Sequence, residues 1–378
     1  MTGLLASAGV ALAGCSGTAP VLSSASAPTG TTIGTGNVKV ALILPLSAAG
    51  NAGVAGQAMR NAAEMALAEF NSPSSIQILV KDDGGTGEAA QQSAQQALDE
   101  GAEIILGPLF AQSVSTVAQA AKTRNIPVIA FSTDVNVASH GVYLLSFLPE
   151  SDVERIVQYA ASTGKHSFVA MIPDNPYGSV VEAAFKQAVG RRNGQVVALE
   201  HYPHDKAGMA APARTIAEAA TRADSLLIAD GGDAVPDIVQ TLITDGVNTK
   251  KIQLLGTGLW DDPRISASAP LEGGWYAAPD SAGYRSFASR YRTRYKQDPV
   301  RTATLAYDAV ALVAALAKTQ NAQQRFSAQV LTNPSGFSGI DGLFRFRADG
   351  TNERGLAVLR VTSSGAQVIS PPPRSFGA

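Results

Sequence analysis

The sequence predicts an α/β chain of two similar lobes, each a parallel sheet with helices on both faces, enclosing a cleft. Three observations carry this. Short, almost uninterrupted apolar runs alternate with helical segments of 12 to 18 residues, the pattern of strands buried on both faces by crossover helices. The alternation restarts near Pro149, giving two series of about 110 residues instead of one long sheet. The 378 residues are 45% hydrophobic and only 16% charged, which favours packed cores over disorder.

Residues 38–44 open the first series with an apolar run broken only by Lys39 and stopped by Pro45, which reads as a strand. Met59, Ala62, Ala63, Ala66, Leu67 and Phe70 recur at helical spacing over 53–70. Strands follow at 76–80, 104–106 and 128–130, with helices over 86–99 and 112–124 between them. In the second series, helices over 152–162, 179–191, 211–221 and 234–245 alternate with strands at 168–172, 195–200, 226–229 and 252–255. From Tyr284 come two helices, then β-like segments at 343–346 and 357–361. The predicted organisation is 38–147 plus about 280–333 for lobe 1, 148–279 plus about 334–365 for lobe 2, and an unstructured tail over 366–378.

Composition removes several function classes. Lys and Arg number 29 against 31 Asp and Glu, so the global basic field of a nucleic-acid binder is missing. Tyr284, Phe287, Ala288, Tyr291 and Tyr295 form one helical face, leaving Arg285, Arg290, Arg292, Arg294 and Lys296 as a solvated flank. One cysteine forms neither an intramolecular disulfide nor a cysteine-based zinc site. Pro203 breaks the helical presentation that His201 and His204 would need to share a metal. Gly84-Gly85-Thr86-Gly87-Glu88 lacks the Gly-Lys-Ser/Thr ending of a phosphate loop, and Gly256-Thr257-Gly258 fails the dinucleotide fingerprint. No Gly-x-Ser-x-Gly elbow occurs, and the adjacent Asp82 and Asp83 would face opposite sides of a strand. The expectation is a chain without catalytic residues, cofactor or metal.

The amino terminus reads as an address. An apolar stretch over 4–13 is too short for a bilayer, which needs ~20 residues, but fits a signal-peptide core. Leu12-Ala13-Gly14-Cys15 resembles the bacterial lipobox, although residues 1–3 carry no Lys or Arg. The resemblance implies a signal peptide over 1–14 and lipidation of Cys15, followed by an uncharged tether over 15–36. Ser16 resembles the sorting position of lipoproteins sent to the outer membrane, so a periplasmic, membrane-anchored location is expected.

In open parallel sheets, ligands sit beyond the carboxyl ends of the strands, where helix N-termini offer N–H donors. Those ends carry Ser47, Phe110, Ser113, Ser132 and Thr133 in the first series, and Tyr177, Asp230, Asp233 and Trp260 in the second. Ser132 and Thr133 offer hydroxyl donors to a carboxylate, helped by the helix start near Ser113. Asp230 or Asp233 would pair with an ammonium group and Tyr177 would cover an apolar body, while Asp230 equally fits a helix N-cap.

Several segments resemble the type I periplasmic solute-binding proteins, over roughly 38–361. These are Ala41-Leu42-Ile43-Leu44-Pro45-Leu46-Ser47, Asp83, Gly107-Pro108, Pro127-Val128-Ile129, Pro173-Asp174-Asn175-Pro176-Tyr177-Gly178 and Ala306-Tyr307-Asp308-Ala309, with Phe287, Tyr291, Tyr295 and Pro299. The resemblance implies two Rossmann-like lobes joined by three crossovers that close on a ligand by hinge motion. Two branches compete. Ile105-Leu106-Gly107-Pro108-Leu109-Phe110, Ala130-Phe131-Ser132-Thr133-Asp134 and Gly141-Val142-Tyr143-Leu144-Leu145-Ser146-Phe147 are similar to penicillin-binding-protein activator lipoproteins, which implies action on a peptidoglycan synthase. The leucine/isoleucine/valine receptors of ABC transporters are the other branch. Ser132 and Thr133 match their amino-acid clamp, while Ala111 and Gln112 stand where serines are expected. The sequence ranks the activator first and the transport receptor second. The expected ligand is an amino acid or peptidoglycan fragment, and the expected partner a penicillin-binding protein or an ABC permease.

Overall fold

The computed structural model describes residues 32–70, 75–203 and 205–376. Cys15, the signal peptide, most of the tether and His204 lie outside the described residues.

The first lobe runs through β1 (Thr32–Ile33), β2 (Val38–Leu44), α1 (Asn51–Glu69), β3 (Ile76–Asp82), α2 (Gly87–Asp99), β4 (Ile104–Leu106), α3 (Ala111–Lys122), β5 (Val128–Ala130) and β6 (Val142–Leu144). Its sheet has the order β1-β3-β2-β4-β5-β6, parallel except for β1. Alternate residues of β2 serve opposite cores: Val40, Leu42 and Leu44 meet α1, while Ala41 and Ile43 meet the α2–α3 side. This is why the run is apolar at nearly every position. Each of the valine, leucine and isoleucine side chains contributes ~1.5–3 kcal/mol on burial.

The second lobe follows as α4 (Pro149–Ser162), β7 (Ser167–Pro173), α5 (Pro176–Arg191), β8 (Gln195–Tyr202), α6 (Lys206–Ala220), β9 (Ser225–Ile228), α7 (Ala234–Thr244), β10 (Gln253–Gly256), α8 (Pro263–Ser266) and β11 (Trp275–Ala278). The chain then returns to lobe 1 with α9 (Ser281–Tyr295), α10 (Ala303–Thr319), α11 (Ala328–Leu331) and a small antiparallel sheet, β12 (Phe337–Gly339), β13 (Gly342–Phe346) and β14 (Asn352–Arg354). It ends on lobe 2 with β15 (Ala357–Thr362) and β16 (Gly365–Ser370), completing the order β16-β15-β11-β10-β9-β7-β8.

Three boundaries differ from the expectation. Thr32 and Ile33, read as tether, pair antiparallel with Leu79 and Ile78 because β3 would otherwise end the sheet with bare N–H and C=O groups. Residues 365–370, read largely as tail, form β16 on β15. The segment 334–365 is divided between lobes. Phe344 and Phe346 are buried in the lobe 1 core, with Phe346 5.4 Å from Tyr143, whereas β15 pairs with β11.

The aromatic face of α9 buries Phe287 and Tyr291. Its arginines meet acids: Arg294 pairs with Glu64 at 2.9 Å, Arg290 with Glu69 at 3.4 Å and Arg292 with Asp298 at 2.6 Å. Two of the arginines of the basic flank are thus paired with acids of α1, and a third with Asp298.

The backbone passes between lobes after β6, after β11 and after β14. Two buried side chains join the first and third passages. Asn352 Nδ2 donates to the carbonyls of Leu144 and Ser146 at 2.8 and 2.9 Å, and Arg354 Nε donates to Ser146 at 2.8 Å. Arg354 also stacks 4.6 Å from the Phe147 ring centre, and Arg301 lies 4.7 Å from the same ring.

Candidate functional site

Leaving aside the added edge strands, β3-β2-β4-β5-β6 and β8-β7-β9-β10-β11 repeat one order, in which the second strand in sequence lies outside the first. Such a sheet reverses winding between its first and third strands. The loops leaving those strands diverge to opposite faces and open a crevice. In lobe 1 the crevice lies between the ends of β2 and β4, and in lobe 2 between the ends of β7 and β9.

Two glycines let the chain close over these ends. Gly107 has φ +94°, and a Cβ there would lie 2.1 Å from the Ile43 carbonyl oxygen. A Cβ on Gly178 would lie 1.9 Å from the Pro173 carbonyl oxygen, so α5 packs directly on the tip of β7.

In lobe 1, Ser47 is exposed after β2 and its backbone N–H donates to Asp82 Oδ1 at 3.2 Å. Desolvation raises Asp82, but hydrogen bonds from Ser47 and Gly84 outweigh it and hold the carboxylate below its ordinary value. Asp83 is fully buried; desolvation lifts it to about 6 against a hydrogen bond from Gly85. Phe110, 37% exposed, begins α3 with no side-chain cap and packs beside Gly85. Thr133 is exposed after β5.

Two expected contacts in this lobe are not presented to the cleft. Ser113 is completely buried, its hydroxyl without a hydrogen-bond partner. As the third residue of α3 its helical phase turns it toward the sheet, on the side of buried Val114 and Val117. Ser132 is buried too, and its Oγ accepts the Asp134 N–H at 3.1 Å to close the turn.

In lobe 2, Tyr177 follows β7 with its hydroxyl 2.7 Å from Thr257 Oγ1. Desolvation pushes its ionisation well above the ordinary range. Asp230 follows β9 and accepts from the Tyr202 hydroxyl at 2.6 Å and the Gly231 N–H at 2.8 Å. Asp230 is not a helix cap: that position at α7 belongs to Asp233, which makes no capping bond and pairs with Arg264 at 3.0 Å.

Trp260 is a core residue, not a cleft residue. It is 1% exposed, lies against Gly256, and its indole Nε1 donates to the Ile228 carbonyl at 3.2 Å. The turn over Gly258–Trp260 is a 3₁₀ helix, so successive side chains rotate by ~120°. Trp260 turned inward leaves Leu259 outward, 47% exposed and against Gly231. Sequence reading also missed Asp152, in the first turn of α4, which accepts the Gly258 N–H at 2.9 Å. Desolvation lifts Asp152 to about 7.

Among the described residues no group of three His, Cys, Asp or Glu side chains is arranged to hold a metal ion. His201 is exposed and its ring Nε2 lies 2.8 Å from Glu182. Among the described residues no helix is long and apolar enough to cross a membrane.

A family model described as periplasmic binding protein matches residues 37–366. The chain belongs to the periplasmic binding protein family. Its fold is the type I form: two lobes with parallel sheets, as the solved neighbours of this periplasmic binding protein have. A candidate branched-chain amino acid ABC transporter of Rhodospirillum rubrum superimposes with a TM-score of 0.78 at 19% identity, covering 88% of this chain and 99% of that one. A branched-chain amino acid ABC transporter periplasmic ligand-binding protein of Burkholderia xenovorans gives 0.72 at 17%, covering 90% and 97%. A solute-binding protein of R. palustris in complex with benzoate gives 0.62 at 17%, covering 91% and 98%. An uncharacterized protein of Rickettsia prowazekii is 25% identical over 100 residues, which is 26% of this chain and 27% of that relative.

Proposed function

We propose that this protein is the substrate-binding receptor of an ABC transporter and that it takes a small carboxylic acid with an apolar body, of amino-acid type, between its lobes. One observation carries the reading: Ser47, Phe110, Tyr177 and Asp230 follow the carboxyl ends of β2, β4, β7 and β9, the four strands that border the two winding-reversal crevices. Ser47 and Thr133 supply exposed hydroxyls on one wall, with the uncapped start of α3 favouring a carboxylate. Asp230 supplies a negative charge for an ammonium on the other, and Phe110, Leu259 and Tyr177 supply apolar cover. The reading involves no chemical transformation, and none of these groups forms a nucleophile–base pair.

The family match and the transport descriptions of the structural neighbours support the receptor ahead of the synthase activator, reversing the order suggested by sequence resemblance. Lipid attachment at Cys15 belongs to the same proposal and would hold the receptor at a membrane surface, probed by metabolic labelling with a fatty acid. The receptor reading is tested by thermal shift and calorimetry with leucine, valine, benzoate and a muropeptide. A bound solute at a hundredfold its Kd adds ~2.7 kcal/mol of stability. Silence towards the amino acids and benzoate, together with capture of a penicillin-binding protein by membrane crosslinking, would overturn it in favour of the activator.

A further inference from the structure

The carboxy-terminal segment crosses the hinge a fourth time. Its start is fixed on lobe 2, where β16 pairs with β15 and Arg155 of α4 donates Nη2 to Ser370 Oγ at 2.7 Å. The same arginine donates Nε to the Leu356 carbonyl at 2.9 Å, so one side chain fastens both the third crossover and the root of the tail. Pro373 then rests on Gly355, where a Cβ would stand 3.2 Å from the proline Cγ. Gly355 joins β14 of lobe 1 to the strand that enters lobe 2, and its N–H donates to the Leu343 carbonyl at 2.9 Å. The segment ends on lobe 1. Arg345 lies 4.6 Å from the centre of the Phe376 ring, and the ring edge packs so closely on Gly336 that a Cβ would come within 2.8 Å.

Six residues therefore run from the edge of one sheet, over the crossover glycine, to the small sheet of the other lobe. Pro371, Pro372 and Pro373 stiffen the span: consecutive prolines hold an extended helix of ~3.1 Å per residue, with little conformational entropy left to lose on docking. Beside it opens a pocket of about 550 Å³, bordered by Glu154, Arg155, Leu356, Pro371, Pro373 and Phe376, so the segment is held at its two ends and at Pro373 with open space between. A rotation of one lobe against the other stretches or slackens a span attached in this way.

We propose that residues 371–376 are a strap that limits how far the lobes open, with Phe376 as its detachable end. While Phe376 is seated on Gly336 and Arg345, the third crossover is clamped between Pro373 and the body of the protein. When it leaves, Gly355 is uncovered and the lobes swing wider. The strap acts on the hinge itself, whichever solute the cleft takes, so it is tested without solute.

The test compares the full chain with Phe376→Ala, Arg345→Ala and a version ending at Ser370. Amide hydrogen exchange at Gly355 and small-angle X-ray scattering are the two readouts. Exchange at Gly355 is expected to quicken by about tenfold or more in each variant while the amides of β2 keep their protection. The radius of gyration is expected to rise in the truncated chain. Unchanged exchange at Gly355 in the two point variants overturns the strap. So does acceleration spread evenly over β2 and Gly355, which is loss of global stability instead. The point variants carry the test alone if the truncated chain does not fold, since Phe376 is only half-buried.

Discussion

The Tyr202 hydroxyl donates to the Asp230 carboxylate at 2.6 Å, reaching across the end of β7 from β8 to the loop after β9. The bond fixes the acid at the lobe 2 crevice, and the strand order permits it by setting the second and third strands of the series on either side of the first. Asp230→Asn is expected to weaken leucine or valine binding by about tenfold or more, equivalent to ~1.4 kcal/mol. Benzoate, which has no ammonium, should be unaffected. Tyr202→Phe is expected to lower stability by about 1–2 kcal/mol and to weaken the amino acids less than Asp230→Asn does. Calorimetric titrations with the two ligand types check both, and equal losses for benzoate would remove Asp230 from its role.

Trp260 and Leu259 are neighbours with opposite duties. Trp260→Ala is expected to cost about 3–5 kcal/mol in denaturant unfolding, because it empties a core site and removes the indole donor to the Ile228 carbonyl. Leu259→Ala is expected to change stability by less than about 0.5 kcal/mol, since its side chain is already half in water. Its effect should appear as weaker solute binding. A stable Trp260→Ala protein would contradict the assignment of that side chain to the core.

Stability should fall as the pH rises from about 4 to about 7. Burial lifts Asp308 from its ordinary 3.8 to about 7, against a hydrogen bond from the Ile340 N–H, and its Oδ2 has no partner. Asp152 is likewise raised to about 7 and Asp83 to about 6. Between the ordinary and the raised value, the folded chain holds a proton that the unfolded chain has released. The folded state then binds more protons, so each step up in pH through that window favours unfolding. Below the unfolded value the contribution is fully present, and above the folded value it is gone. Thermal melts across this range should show a falling Tm, with a shallower fall for Asp308→Asn. A Tm that rises from about pH 4 to about pH 7 would contradict this.

Asn352 offers a test of the hinge. Its amide donates to the carbonyls of Leu144 and Ser146, the second of which also accepts from Arg354 Nε. Asn352→Ala is expected to cost about 1–3 kcal/mol by stranding a buried acceptor. Asn352→Asp should be worse, since it replaces the donor with a carboxylate oxygen and turns an acceptor toward two carbonyl oxygens. Urea titrations of both variants give the order, and a more stable aspartate variant would refute the geometry.

The strands β4 and β5 are legible to the residue, since three consecutive aliphatic side chains at each are buried on both faces. β14 escapes notice because Asn352 and Arg354 are polar. Their burial is conferred by the hinge carbonyls they serve, which lie more than 200 positions away in the chain. The four-residue β11 follows Gly273-Gly274 and shows no alternation of its own. At the site, the loops can be found from strand ends alone, but the direction of each side chain cannot. Ser113 and Trp260 lie in the expected loops or helix starts and point inward, because helical phase is set by what the neighbouring turn must bury. Asp152 carries no local signal, since an acid in the first turn of a helix is ordinary.

The two residues of β1 also bear on how the protein behaves as a material. They lie along a strand, Ile76–Asp82, in which Ile76, Ile78, Leu79 and Val80 are apolar, at the rim of an array of hydrogen-bonding groups. Such a rim, left bare, is a template on which a second copy can add a strand, and the addition can repeat. A version of this protein shortened to begin at Asn37 would keep the main core yet lose the cover over Ile78 and Leu79. Light scattering during storage should then reveal self-association that a version beginning before Thr32 resists, so two unassuming residues at the edge of the first lobe guard the protein's solubility.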